Sequence, residues 1–188
     1  MKLPSPRTYA FWLAIARIYL GAFWLMHGIP KFLQSDQFMP PNGFITNFIT
    51  DGITKTTGPY HDFLANTVQP NINVFAELVR LGEVVTGCLL LLGFFTRLGG
   101  FLGAFLALNY LLAKGGAYHA EAWSGLDALT MVFSLVNFVL PTGRMLGVDG
   151  LLGRRPRPIP MPAQPAAANV HAEFVEEKPI TGPTAPRD

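Results

Sequence analysis

The stretch that decides the fold is the first long apolar run, residues 9–32, which reads YAFWLAIARIYLGAFWLMHGIPKF. A membrane-spanning helix needs about 20 mostly apolar residues, and this run meets that requirement. Lys2 and Arg7 precede it, as basic residues would in a secretory signal peptide. However, the run is too long for the apolar region of a signal peptide, and no small-residue cleavage site follows it. We therefore interpret residues 9–32 as a membrane span that the mature protein retains.

Three further apolar runs have the composition of membrane spans. They cover residues 72–95, 98–113 and 123–140, and Pro141 marks the end of the last one. Only 14% of the residues are charged and 50% are hydrophobic, whereas about a quarter of the residues of a soluble domain are charged. The sequence therefore predicts an all-α fold, in which residues 1–152 form an integral membrane four-helix bundle.

The basic residues indicate how these spans are oriented, since Lys and Arg concentrate in cytoplasmic segments. Lys2 and Arg7 precede the first span, and Arg97 lies between the second and the third. A basic cluster follows the fourth span: Arg144, Arg154, Arg155 and Arg157. These residues all fall on one side of the membrane if both termini are cytoplasmic. We therefore expect a multi-pass protein with both termini in the cytoplasm.

The outer loop between the first two spans, residues 33–71, is predicted to be partly helical. Pro40-Pro41-Asn42-Gly43 predicts a turn near its start. Two apolar groups after the turn suggest short amphipathic helices: Phe44, Ile45, Phe48 and Ile49 in the first, and Phe63, Leu64 and Val68 in the second. Because the loop is too apolar to be a simple tether, we expect it to lie on the bilayer surface or to cap the bundle.

Two regions are candidates for binding a protein partner. Residues 153–188 are rich in Pro, Ala, Glu and Arg, a composition that cannot bury enough apolar surface to fold alone. We expect them to form a disordered cytoplasmic tail or a strap on a larger complex. Gly99, Gly103 and Ala107 give the third span a small-residue face for close packing, within the bundle or in a dimer. Membrane lipid is the other expected partner, and no nucleic acid is expected.

Ionisable residues occur inside the predicted spans, where charges are costly and usually face a protein interior. Arg17, Trp24, His27 and Lys31 recur at helical spacing on one face of the first span. A rise of about 1.5 Å per residue places Arg17 and Glu83 near the middle of the membrane. We expect these two residues to form an ion pair, whose simplest role is to hold two helices together.

A second, outer layer of ionisable residues is the main candidate site. The same depth estimate places five of them roughly 5–15 Å from the centre: His27, Lys31, Glu77, Arg80 and Asp127. This number exceeds what helix association requires, so we expect a cavity that binds a polar ring or an anion. The alternative is that Lys31 and Asp127 only extend to the membrane interface.

The sequence argues against the usual metal and haem sites. His27 has no second ligand at a suitable spacing. Cys88 is the single cysteine, which excludes an internal disulfide and the CxxC motifs of dithiol enzymes and c-type cytochromes. We therefore expect no metal and no covalently bound cofactor.

Taken in order, several of these residues resemble the DoxX/DoxD family, over about residues 10–152. The long outer loop and the Pro-rich tail depart from the usual family pattern. The resemblance implies a four-helix protein of the bacterial or archaeal cytoplasmic (inner) membrane, in a family that includes the membrane subunit of thiosulfate:quinone oxidoreductase. The matching positions are Arg17, Gly21, Gly28, Lys31, Glu83, Gly87, Leu89 to Gly93, Thr96, Arg97, Gly143, Arg144, Gly147 and Asp149.

The first functional hypothesis is a subunit of a quinone-linked redox system, with quinone as substrate and an anion such as thiosulfate as electron donor. His27, Arg80 or Arg17 could donate hydrogen bonds to the quinone oxygens, and Glu77 or Asp127 could relay the protons. The predicted catalytic residues are His27, Glu77, Arg80 and Asp127. Four others are expected to bind the substrate or quinone: Arg17, Trp24, Lys31 and Glu83.

Two other functions remain open. The chain could be a non-catalytic subunit that anchors, assembles or stabilises a larger membrane complex, in which case it should need residues 153–188. A transporter has less support, since the spans show neither a broken helix nor repeat symmetry.

Overall fold

The computed structural model describes residues 6–116, 119–140 and 142–152. These residues form helices and connecting turns and contain no strand, which confirms the predicted all-α class. The predicted tail, residues 153–188, lies outside the described residues, and so do Lys2, Pro141 and three of the four arginines of the basic cluster.

The described chain contains eight α-helices, four of them long. The long helices are α1, α5, α6 and α7, and they correspond to the four predicted spans. The largest difference is at the fourth, where a separate 3-10 turn, Ala120–Ser124, precedes α7. The helices are α1 (Pro6–Leu33), α2 (Ser35–Phe38), α3 (Phe44–Lys55), α4 (Gly58–Phe63), α5 (Ile72–Leu92), α6 (Thr96–Ala113), α7 (Leu126–Val139) and α8 (Val148–Leu152).

Two of the long helices are long and apolar enough to cross a membrane, α1 from Arg7 to Leu33 and α6 over its whole length. The helix α5 is longer than α6 but carries Glu77, Arg80 and Glu83 in its interior. The helix α7 is apolar and has only 14 residues. Therefore α5 differs from α1 and α6 because of its charged residues, and α7 differs from them because it is short.

The four long helices pack side by side, with α1 on α5, α5 on α6, α6 on α7, and α7 also touching α1. The small-residue face of α6, formed by Gly99, Gly103 and Ala107, is buried in this packing. It is therefore used within the chain. Large apolar side chains cover the outside, as expected for a surface that faces lipid, and they include Tyr19, Met26, Leu78, Phe105 and Val132.

Two glycines bring α1 and α5 into backbone contact. A Cβ atom on Gly21 would lie 2.4 Å from the backbone nitrogen of Leu91, and one on Gly87 would lie 2.9 Å from that of Leu25. Only glycine leaves room for such an approach. These contacts hold α1 and α5 in a fixed antiparallel register.

The outer loop forms a small apolar core of its own against the start of α5. Phe38, Ile45 and Ile49 pack with Leu64, Val68 and Ala76. A π-helical turn, Leu64–Val68, and a 3-10 turn, Gln69–Asn71, join α4 to α5. The predicted helices in this loop are confirmed, and α3 contacts both α5 and α6. The loop therefore caps part of the helix packing.

Candidate functional site

A buried polar network links α1, α5 and α6. Lys31 Nζ lies 2.6 Å from each carboxylate oxygen of Glu83. The hydroxyl of Tyr110 donates to Glu83 Oε1 at 2.5 Å and is 3.3 Å from Lys31 Nζ. The Glu83 side chain is only 2% exposed. A carboxylate so deeply buried needs a positive partner and hydrogen-bond donors, and Lys31 and Tyr110 supply both.

Tyr110 also lines an apolar cavity of about 500 Å³. It lies between the capping loop and the helices α5 and α6, and it is partly open to the outside. Its lining includes residues that are exposed on the outer faces of α5 and α6, among them Leu81 and Phe105. The cavity therefore connects the apolar surface of the protein to the Lys31–Glu83–Tyr110 network.

Two further polar groups lie in the cavity wall. The hydroxyl of Tyr60 donates to the backbone carbonyl of Asn109 at 3.0 Å. Burial raises the pKa of Tyr60 to about 12, so the hydroxyl keeps its proton at neutral pH. The Asn109 side chain donates one of its two amide hydrogens to the carbonyl of Phe105. Its other hydrogen has no acceptor among the described residues, so Asn109 can donate to a ligand.

The predicted ion pair between Arg17 and Glu83 is wrong. Arg17 is fully buried, but its guanidinium donates to backbone carbonyls, to Leu90 and to Leu146 at 2.8 Å. A longer contact of 3.4 Å reaches Leu91. The carbonyls of Leu90 and Leu91 belong to the last turn of α5, where the i+4 N–H of a continuing helix is missing, although the Gly93 N–H also reaches the Leu90 carbonyl at 3.3 Å. Arg17 therefore caps the C-terminus of α5 and ties the segment after α7 to it.

The same end of the molecule holds a second cap, on α6. The carboxylate of Asp149 accepts hydrogen bonds from the backbone N–H groups of Phe95 and Thr96, at 2.9 and 3.0 Å, and from the Thr96 hydroxyl at 2.6 Å. A carboxylate at this position satisfies free N–H groups and favours the positive end of the helix. We call this region, formed by Arg17, residues 90–96 and residues 142–149, the inner junction.

Glycines at the inner junction are required by its geometry. Gly93 has φ of 65°, and a Cβ there would lie 2.3 Å from Arg17 Nη1. A Cβ on Gly143 would lie 1.9 Å from the Thr96 hydroxyl oxygen. Several of the residues that carry the family resemblance lie outside α1 and the middle of α5. Most of these residues meet at the inner junction, which is a structural contact rather than a binding site.

The predicted outer cluster is divided into separate pairs. Glu77 pairs with Arg80 on the same helix, and Arg80 also lies over the ring of Phe32 at 4.5 Å. Asp127 pairs with Lys114 at 2.5 Å. The expectation of one shared cluster is therefore wrong, although Asp127 and its partner lie one helical turn beyond Tyr110.

Two other predicted site residues lie apart from the network. His27 is exposed, and its ring nitrogen contacts the carbonyl of Phe23 in its own helix at 2.9 Å. It does not share the buried face of Arg17 and Trp24. Trp24 is 2% exposed and lies in the core of the long helices, where it does not line the apolar cavity.

Sequence reasoning missed Tyr110, which joins the cavity to the network. Its position held a usable signal, because Tyr110 follows Ala107 by three residues on the small-residue face of α6. A tyrosine on a buried helix face needs a polar partner for its hydroxyl, and Glu83 was available. The described residues contain no group of His, Cys, Asp and Glu that could hold a metal ion.

An all-helical chain with an apolar outer surface and a buried ion pair has the character of a membrane protein. The comparison with family models identifies the group: the model described as "TQO small subunit DoxD" matches residues 12–159. The chain therefore belongs to the DoxD family, a family of membrane proteins. Searches of curated proteins and of solved structures found no match.

Proposed function

We propose that the chain is a four-span subunit of a quinone-linked redox system in a bacterial or archaeal cytoplasmic membrane, with both termini cytoplasmic. The packing of α1, α5, α6 and α7 and their apolar outer surfaces support four spans. The charges that count against α5 as a span are largely neutralised, since Glu83 pairs with Lys31 and Glu77 with Arg80. Arg144 in the inner junction and Arg97 next to it support the orientation.

The observation that carries the proposal is the apolar cavity that Tyr110 lines. A quinone needs an apolar channel for its isoprenoid tail and hydrogen-bond donors for its ring oxygens. The cavity offers about 500 Å³, within the range of small-molecule sites. It opens on the apolar surface, where a lipid-soluble molecule would enter, and the free amide hydrogen of Asn109 can donate to a ring oxygen.

Reduction of a quinone to a quinol consumes two electrons and two protons. In our proposal the Tyr110 hydroxyl turns from Glu83 to the ligand and gives it a proton, and Glu83 takes up a proton from the outer side and returns it to Tyr110. Lys31 holds the carboxylate in place and compensates its charge. The pair Lys114–Asp127, one turn further out, is the proposed route for proton exchange with the outside.

The electrons must come from a separate donor, because the proposed site holds a quinone only. The family description names a small subunit of TQO, which we take as thiosulfate:quinone oxidoreductase. We therefore propose that thiosulfate is the donor, that two thiosulfate ions join as tetrathionate and release two electrons, and that a partner subunit carries this chemistry. Residues 153–188 remain the proposed contact with that partner.

The first test is quinone binding by the full-length protein in lipid nanodiscs, with a short-chain ubiquinone as the probe. Gly82 lines the cavity, so Gly82→Leu should weaken binding at least about tenfold, since each 1.4 kcal/mol is a factor of ten. Val132→Leu, on the exposed face of α7, is the matched control and should bind like the wild type. Equal binding by all three proteins, or none by the wild type, would refute the proposed site.

The second test separates binding from proton transfer. In membranes that contain the whole complex, Glu83→Gln should retain quinone binding and reduce thiosulfate-dependent quinone reduction by about 10²–10⁴-fold, the range for loss of a general acid or base. Tyr110→Phe should act in the same direction, whereas Tyr19→Phe, which alters an exposed tyrosine, should have no effect. Unchanged turnover in Glu83→Gln would exclude the proposed proton route.

A non-catalytic subunit is the second candidate, and one observation favours it. Each ionised side chain in or beside the network already has a partner within the chain, as a structural role requires. In that case the wild type would bind no quinone, and removal of residues 153–188 would disrupt assembly of the complex.

A further inference from the structure

The centre of the four long helices contains three buried polar atoms that have no hydrogen-bond partner among the described protein atoms. They are the indole Nε1 of Trp24, the Oγ1 of Thr86 and the Oγ of Ser134. Trp24 is 2% exposed, and Thr86 and Ser134 are fully buried. Buried polar atoms nearly always have a partner, and each exception calls for an explanation.

These three side chains come from three helices and converge on a fourth, at Gly103 of α6. A Cβ atom placed on Gly103 would lie 2.7 Å from Ser134 Oγ, 3.1 Å from Trp24 Nε1 and 3.2 Å from Thr86 Cγ2. The three side chains therefore close around the Cα of Gly103, and Trp24 Nε1 and Ser134 Oγ lie near enough to each other for one water molecule to bridge them. A Cβ at this position would crowd both polar atoms, so only glycine fits here.

We propose that Trp24, Thr86 and Ser134 bind a water molecule beside Gly103. The indole N–H can only donate, so it requires an acceptor, and the two hydroxyl groups can donate or accept. Water supplies an acceptor for the indole and donors for the hydroxyls, and buried waters typically make two to four such bonds. An ion does not fit this set, since the three groups carry no charge to compensate it.

The bound water joins α1, α5 and α7 where α6 presents no side chain. Thr86 follows Glu83 by one turn on the buried face of α5, so the site continues the polar interior from the Lys31–Glu83–Tyr110 network towards the centre. The inference does not depend on the proposed redox function, because a structural subunit would need the same groups to be satisfied.

The direct test is magnetisation transfer between water and the indole N–H of Trp24, measured by NMR on the full-length protein with ¹⁵N-labelled tryptophan. Trp24→Phe assigns the signal among those of Trp12, Trp24 and Trp123. A cross-peak to water at the Trp24 indole is expected, and its absence in the wild type would overturn the proposal.

Gly103→Ala provides the matched perturbation, since its methyl group would occupy the point next to Ser134 Oγ. The Trp24 cross-peak should then be lost. Gly99→Ala, one turn earlier on α6, is the control because the nearest neighbours of its Cβ would be apolar atoms of Leu89 and Leu90, at 3.0 to 3.2 Å. The cross-peak should persist there, and its persistence in Gly103→Ala as well would contradict the proposed position.

A stability measurement keeps the proposal testable if Gly103→Ala does not fold. If water satisfies the two hydroxyls, then Thr86→Val and Ser134→Ala remove hydrogen bonds and should each lower the thermal midpoint by about 2–4 °C. If the site is dry, these changes remove unpaired polar atoms and should leave the midpoint unchanged or raise it. An unchanged or higher midpoint in both variants would therefore refute the bound water.

Discussion

Arg17→Lys tests the assignment of Arg17 as a structural cap rather than a substrate ligand. The substitution preserves the positive charge, so the cost of burying a charge in the core is similar in both proteins. It removes the planar fork that lets one side chain bond the carbonyls of Leu90 and Leu146 together. A lysine nitrogen in this position can reach one of these two carbonyls.

The magnitude follows from the bonds that are lost. A hydrogen bond to a charged group contributes about 1.5–3 kcal/mol to stability, and at least one such bond disappears in Arg17→Lys. We therefore expect the free energy of unfolding to fall by about 2–3 kcal/mol. For a protein of this size each 1 kcal/mol corresponds to about 2–4 °C, so the thermal midpoint should fall by about 4–12 °C.

The assay is thermal unfolding of the full-length protein in one detergent, with Arg97→Lys as the matched control. Arg97 is exposed, and its substitution should change stability by less than about 0.5 kcal/mol. Quinone binding at low temperature should be unaffected by Arg17→Lys, because Arg17 and Lys31 lie about 21 Å apart along α1. Equal midpoints for the two variants would refute the capping role, and a selective loss of quinone binding would restore Arg17 as a ligand residue.

Three further predictions concern other parts of the fold. Gly21→Ala should lower the free energy of unfolding by about 1–3 kcal/mol, because its methyl group would lie 2.4 Å from the Leu91 nitrogen. Gly82→Ala is the control: the nearest neighbour of its methyl group would be a Leu106 methyl carbon at 3.4 Å, so it should be nearly neutral in the same unfolding assay. Asp149→Asn should cost about 1–2 kcal/mol through loss of an acceptor at the start of α6, also measured by thermal unfolding. Because burial raises the pKa of Tyr60 to about 12, the stability that its protonated hydroxyl contributes is fully present below about pH 10 and is lost as the pH rises towards 12. Tyr60→Phe should weaken this dependence in a pH series of thermal unfolding.

The helices could be predicted from the sequence because their signal is local. Apolar runs and turn residues located α1, α5, α6 and α7 to within a few residues, apart from the start of α7. The apolar side chains of the outer loop likewise predicted its helices. These side chains form the loop's small core, which explains why they are apolar.

The candidate site could be predicted only in part, because partner choice depends on side chains that are distant in sequence. The depth of each charge was estimated from its place in its own helix, which locates Glu77, Arg80 and Asp127 near one level. Depth does not say which way each side chain points, and Glu77 turned out half exposed while Glu83 is fully buried. Nor does it reveal Lys114, which lies at the end of α6 and binds Asp127.

The error in pairing Arg17 with Glu83 came from matching their depths in the membrane, whereas glycines set the register of α1 and α5. A Cβ on Gly28 would lie 3.0 Å from Glu83 Cβ, so these residues face each other across the two helices. Gly21 faces Leu91 in the same way. In an antiparallel pair this register carries Glu83 to Lys31, one turn after Gly28, and carries Arg17 to the end of α5, where carbonyls rather than a carboxylate are available. Small residues that allow two backbones to touch thus decide which charges meet, and they are the sequence feature from which the ion pair could have been predicted.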